Sequence, residues 1–378
     1  MNGLDNLIPI LYEALQVVAR ELVGVISAAS RSMTAETAAV GQTIRVPVTP
    51  PSENSDVVPG VEPPYDGTDF SHVDLTISKM RRAKPIVWTG NEEIEVGGQL
   101  NQILVNQYAQ SIRSLVNELE ADVAFELIMG ALSVGNVYGT AGVTPFNGGL
   151  ADLAQIAKIL DDRGAPQTGR QFAANTAVGA ALRSLTHLTN VDKAGDNDML
   201  RRGVFGDLLG FAIRQSAGFK PFNPGAGAGY LINGAAAEGA TELTVDTGSG
   251  AISKGAIISI AGDTNKYVVA EAVPSGGTVI KIVGGLKQAA ADNAAITLGA
   301  PFLPSAGFTS DAIVLATRLP ALPLRGDSAK DITVITDVVS GLSLQVAMYT
   351  RYLQNLVELR ICWGCKSVNP EFSSVLIG

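Results

Sequence analysis

The chain has 378 residues, enough for two domains or for one large domain carrying an insertion, each with its own core, so it is not a small scaffold stapled by disulfides. Hydrophobic residues make up 46% and charged residues only 17%, a balance that suits a chain hiding much of its surface against other subunits. The formal net charge of −9 argues against a dedicated DNA reader, which needs a basic face to displace phosphate counterions.

Residues 1–20 carry Asp5 and Glu13 and no basic stretch before their apolar positions, so they do not read as a signal peptide. No later segment is long and apolar enough to span a bilayer. The expectation is a protein made and kept in a cytoplasm unless it leaves as part of something larger. From Leu4 to Ile26, the residues Leu4, Leu7, Ile8, Leu11, Leu15, Val18 and Leu22 recur at helical spacings, with Glu13, Arg20 and Glu21 off the stripe. This predicts an amphipathic arm, packed either on its own domain or against a partner.

From Gly41 to Trp88, two strand-like ends flank a middle rich in Pro, Asp, Ser and Gly. Such an excursion cannot bury a core of its own and is expected to lie on another subunit. Lys79, Arg81, Arg82 and Lys84 at its base are expected either to meet a neighbour's acidic surface or to be solvated strand residues. Glu92 and Glu93, just beyond, join them as candidate contacts between subunits.

Leu100, Leu104, Tyr108, Ile112, Leu115, Leu119, Val123 and Leu127 then follow at spacings of three and four. They predict one helix of about thirty residues, about 45 Å long. Its acids Glu118, Glu120, Asp122 and Glu126 have no histidine-bearing partner motif and are expected on solvated faces. Beyond it come a helix, a turn at Gly164 to Pro166, a short strand around Phe172, a second helix, and a strand at Phe211 and Ile213.

Between Gly225 and Pro304 no helical period is present. Apolar clusters at Leu243 and Val245, Ile257 to Ile260, Tyr267 to Val269, Val279 to Val283, and Ile296 with Leu298 are separated by turn signals, which predicts an inserted antiparallel barrel or sandwich. Gly225, Gly227 and Gly229 open this stretch and raise the alternative of a phosphate cradle. No helix start follows them, and Pro221 and Pro224 disfavour a strand before them, so they are read as a seam between architectures. Strand-like segments resume after Phe308 and run into the final stretch from Ser340 to Glu371.

Cys362 and Cys365 form a C-x-x-C pair, but His72 and His187 are the only histidines and offer no matching zinc spacing. The surrounding strand-like sequence argues against a redox dithiol at a helix start, and reduced structural cysteines are expected. The chain has no G-x-S-x-G, no P-loop, no H-E-x-x-H and no calcium loop; "DNDML" at Asp196 to Leu200 is read as a solvated turn. No catalytic residue, no metal site and no cofactor are expected.

Several blocks in order resemble one family. "GQTIRVPVTP", then "VWTGNEEIE" entering a helix with "LVNELEADVAFEL", resembles the region before and along the spine helix of tailed-bacteriophage major capsid proteins. "ILDDRGAPQTGRQFAANTAVGAALRSL" and "LRRGVFGDLLGFAIRQSAGF" are similar to that family's apical region. The close, "SGLSLQVAMYTRYLQNLVELRICWGCKSVNPEF", resembles its last strands and its G-x-x-x-x-x-P-E ending, here Gly364, Pro370 and Glu371. The all-β stretch looks like the extra domain of the podovirus coat-protein branch.

The resemblance implies an α+β chain of the Hong Kong 97-type capsid fold. Its parts are an N-terminal arm (1–40), an extended loop (41–90), a peripheral domain with the spine helix (91–150), an apical domain (151–224), the inserted β domain (225–304) and a return with the last strands (305–378). It also implies pentamers and hexamers that close into an icosahedral virion capsid, assembled in a bacterial host cytoplasm. The implied partners are the chain itself, a scaffolding protein, a portal and a decoration protein, with non-specific contact to packaged dsDNA and no membrane. The lysine and asparagine of the family's cross-link are not assigned here. A cellular shell enclosing cargo enzymes and an α/β nucleotide-binding enzyme are the alternative functions.

Overall fold

The computed structural model describes residues 7–17, 23–48, 54, 56–57, 59–60, 62, 71–96, 100–147, 149–185, 206–324, 326–337 and 340–378. Leu4, Val18, Leu22, His187 and the "DNDML" turn lie outside the described residues. The fold is α+β. It opens with α1 (Ile8–Val17), α2 (Val25–Ala28), β1 (Ser30–Ala38), β2 (Thr43–Val48), β3 (Ser71–Thr76), β4 (Lys79–Arg82), β5 (Ile86–Thr89), α3 (Gly90–Glu95) and α4 (Leu100–Ser133). Then come β6 (Val137–Gly139), α5 (Ala151–Asp162), β7 (Arg170–Ala174), α6 (Thr176–Ser184), β8 (Asp207–Leu208) and β9 (Phe211–Gln215). Strands β10 to β15 follow at Leu231–Ile232, Glu242–Asp246, Ile257–Ile260, Lys266–Val268, Val279–Lys281 and Ile296–Leu298. The chain closes with β16 (Pro304–Thr309), β17 (Ile313–Pro320), β18 (Asp331–Thr336), β19 (Ser343–Arg351), β20 (Gln354–Ser367) and β21 (Ser373–Ile377).

Helix α4 organises the main core. It runs free of proline and, up to Gly130, of glycine, so nothing in its backbone breaks the ladder. Its predicted stripe from Leu104 to Leu127 is buried against β20 and β21, with α1 and α2 laid over it. Each of these side chains contributes roughly 1.5–3 kcal/mol of transfer free energy. Gly130 is a close approach: a Cβ there would overlap the side chain of Ser367, so only glycine lets the helix end rest on β20.

Two sheets flank this core. In the first, the 14-residue β20 pairs antiparallel with β17, β19, β4 and β5, and β1 adds to β17 in parallel. The second runs β6-β21-β16-β7-β9-β8 and is covered by α5 and α6, whose Leu153, Ile156, Leu160, Val178 and Leu182 pack on Phe172 and Phe211. Of the two placements expected for the N-terminal arm, its described part takes the one on its own domain. It forms two helices, and Leu11, Ala14 and Leu15 of α1 are buried on α4 of the same chain.

Strands β10 to β15 form two three-stranded sheets around a core of their own, built from Tyr230, Ile232, Leu243, Val245, Ile258, Ile260 and their neighbours. The chain enters and leaves this unit side by side. Phe222 and Phe302 exchange backbone hydrogen bonds of 2.8 and 3.2 Å, and their rings stack with centroids 5.1 Å apart. Gly225 sits just inside, at φ +108, where a Cβ would overlap the Ala251 carbonyl. It makes a bridge to Ile252. The glycine run is therefore a seam of close backbone approach and not the mouth of a helix.

Candidate assembly surfaces

The β2–β3 hairpin is a sheet by itself, in register from Thr43↔Thr76 to Val48↔Ser71. Its root is anchored: Leu75 and Ile77 are fully buried with Ala38, Ala316 and Cys362. Gly364 of β20 makes room for this crossing, since a Cβ there would overlap the Thr76 carbonyl. The far end is different. The outer strand residues alternate between exposed and half-buried, and Val57 beyond them is 92% exposed. Residues 49–70 hold Glu53, Asp56, Glu62, Asp66 and Asp69 and neither Lys nor Arg.

Three of the charged residues at the hairpin's base, Lys79, Arg81 and Arg82, find partners within their own chain. Lys79 Nζ lies 2.7 Å from Asp122 and 3.4 Å from Glu118, and 6.0 Å from the centroid of Trp363. Burial pulls its ammonium pKa down, and the hydrogen bonds and charges of Asp122 and Glu118 outweigh that and leave it raised. Arg81 Nε donates to Glu118 at 3.0 Å, and Arg82 pairs with Glu358. Lys84 lines an open groove beside α4 with Val87, Ile103 and Gln107. Glu92 closes a capping box with Thr89, and Glu93 accepts from Trp88 Nε1 at 2.7 Å.

The expectation that the acids of α4 are solvated needs correction. Glu120 is 1% exposed. Its carboxylate accepts from the backbone N–H groups of Gly24, Val25 and Ile26 at 2.7–2.9 Å and from Ser216 Oγ at 2.6 Å. Asp122 accepts from Trp363 Nε1 at 2.9 Å, and Glu126 faces Lys366 at 3.8 Å. The physical reason is that α4 is covered on several sides, so acids off its apolar stripe meet other segments and not water. The spacing carried a usable signal: Lys79 and Arg81 share a strand face at i, i+2, and Glu118 and Asp122 share a helix face at i, i+4. Glu120 offered none, because three of its four donors are backbone groups far away in sequence.

The C-x-x-C residues sit on opposite faces of β20, as a spacing of three in a strand requires. Cys362 packs with Leu75 and Ala38, while Cys365 Sγ lies 3.7 Å from the Asp122 carbonyl beneath α4. Both are free thiols. Among the described residues, no group of three or more His, Cys, Asp or Glu could hold a metal ion, and no helix is long and apolar enough to cross a membrane.

No family model and no curated protein matches the chain. Solved structures do. The structure of Mycobacterium phage Che8 is similar at 15% identity over 89% of this chain and 84% of that one, with a TM-score of 0.47. The mature capsid of bacteriophage PhiM1 is similar at 12% identity over 93% and 85%, with a TM-score of 0.49. The capsid of a native GTA particle is similar at 10% identity over 95% and 91%, also at 0.49. Two of these three are capsids by name.

Proposed function

We propose that this chain is a shell subunit of the tailed-phage capsid type and acts by assembly, not catalysis. The observation that carries this reading is the β2–β3 hairpin. Its root is buried in the body, and its outer half leads into an acidic tip with too few apolar residues to pack on its own subunit. A two-stranded ribbon is marginal in water by itself, so the tip finds its cover on a neighbouring copy. The long α4, the two flanking sheets and the separate β10–β15 unit support the same reading through the order of blocks described for the sequence.

In its finer form the proposal is a shell of pentamers and hexamers closed with icosahedral symmetry around dsDNA, built with a scaffolding protein, a portal and a decoration protein. Residues 1–40 are its arm, 41–90 its extended loop, 91–150 and 305–378 its peripheral framework, 151–224 its apical domain and 225–304 its insertion. The acidic chain offers little counterion release, so DNA contact is weak and indifferent to sequence. A cellular shell with enzyme cargo would use the same contacts. Neighbouring genes for a portal and a terminase distinguish the two.

Deleting residues 52–66 tests the carrying observation. The expected product is a soluble, folded subunit that no longer forms the closed particles of the full chain. Normal particles from the deletion variant would reduce the loop to decoration.

A further inference from the structure

A groove of about 410 Å³ lies where α4 meets the root of the β10–β15 unit. Phe125, Ile128, Met129 and Phe222 line it together with Lys220 and Lys254, both of them exposed. Phe125 is 59% exposed, although it belongs to the helix that organises the core. Among the described residues, neither lysine is paired with a carboxylate. A bare phenylalanine in one groove with two such cations selects an apolar group flanked by acids.

The chain carries such a group on α3. Ile94 is 82% exposed, and Glu92, Glu93 and Glu95 surround it in the same six-residue helix. Of the other exposed apolar residues, Leu324 adjoins Arg325 and Tyr352 adjoins Arg351, whereas Val57 beside Asp56 belongs to the extended loop and is the rival occupant. The helix cannot reach the groove of its own copy. It starts after Thr89, which pairs with Gln354 at one end of β20, while the groove lies near the other end, where Ser367 packs under Gly130. Thirteen residues of strand separate those ends, about 43 Å at 3.3 Å per residue.

We propose that α3 of one copy docks in this groove on a second copy, with Ile94 against Phe125 and Glu95 facing Lys220 and Lys254. The inference rests on the shell reading and adds to it the identity of one contact. Knob and hole lie at opposite ends of one subunit, and the proposed contact is the head-to-tail one and not a reciprocal two-fold pair. A head-to-tail contact repeats into a ring when its rotation closes, which is the geometry a capsomer needs.

The test places a photo-crosslinking benzoylphenylalanine at Ile94 in the full chain and mixes light and isotopically heavy copies. Irradiated assemblies are digested and the cross-linked peptides read by mass spectrometry, with electron microscopy of the same sample. The expected result is mixed-isotope cross-links from position 94 to residues 121–129, 218–223 or 253–254. Lys220→Glu with Lys254→Glu is expected to lower their yield and the assembly rate about tenfold, and Glu95→Lys to recover part of the loss. Particles whose position-94 cross-links fall elsewhere, or stay within one copy, overturn the docking and leave the shell reading standing. The same holds if a probe at Val57, and not at Ile94, labels the groove. A chain that stays monomeric overturns both.

Discussion

The carboxylate of Glu120 and the hydroxyl of Ser216, 96 residues apart, meet at 2.6 Å with both residues buried. Because the same carboxylate also holds three successive N–H groups at Gly24 to Ile26, it joins the N-terminal segment, α4 and the segment after β9 at one point. A carboxylate with four donors is well satisfied; an amide in its place turns its own NH₂ toward other donors. Glu120→Gln is therefore expected to cost about 2–4 kcal/mol. The urea midpoint measures the loss, and amide hydrogen exchange should rise first at residues 24–26. Unchanged stability would remove the junction from the account.

Gly364→Ala tests the root of the hairpin. The substitution adds a Cβ against the Thr76 carbonyl in ordinary strand geometry, so its effect is one of space and not of backbone freedom. The expected cost is about 1–3 kcal/mol, with faster exchange of the Ile77 N–H, which donates to the Gln42 carbonyl at 2.9 Å. Equal destabilisation with no local change in exchange would place the strain elsewhere.

The thiols make a pH prediction. Burial pushes Cys362 up to about 11, and burial with the charges of Glu126 and Asp122 pushes Cys365 up to about 12. Raised values mean less thiolate, so both cysteines should resist a thiol reagent at pH 8 in the folded chain and react at once in denaturant. Rapid labelling of the native chain, or an intramolecular disulfide between residues on opposite faces of β20, contradicts the placement.

The β10–β15 unit should fold alone. It has its own core and its ends meet at Phe222 and Phe302; what residues 220–304 lose in isolation is the packing of Ile257, Val268 and Phe302 on the main core. A dispersed amide spectrum is the expected outcome, and Phe302→Ala should loosen the ends without unfolding the core. A collapsed spectrum shows that the unit depends on the body.

Elements whose periodicity spans many residues were legible in the sequence. The α4 stripe, the alternating clusters of β11 to β15 and the strand character around the cysteines needed no partner to be recognised. The arm was legible as a helix but not in its break before Val25, since the break is held by Glu120, a residue far along the chain. The ion pairs of Lys79 and Arg81 were half legible: the two spacings matched, but nothing in sequence says that β4 crosses α4. The Phe125 groove was hidden for a similar reason. It is made by α4, the link at 218–223 and the loop at 253–254, which only the fold brings together.

Electron microscopy of the full chain, expressed and purified at increasing concentration, tests assembly most directly. The account predicts closed particles of uniform diameter whose walls are one subunit thick, appearing above a threshold concentration. A chain that remains monomeric at every concentration, alone and with the products of its neighbouring genes, contradicts it.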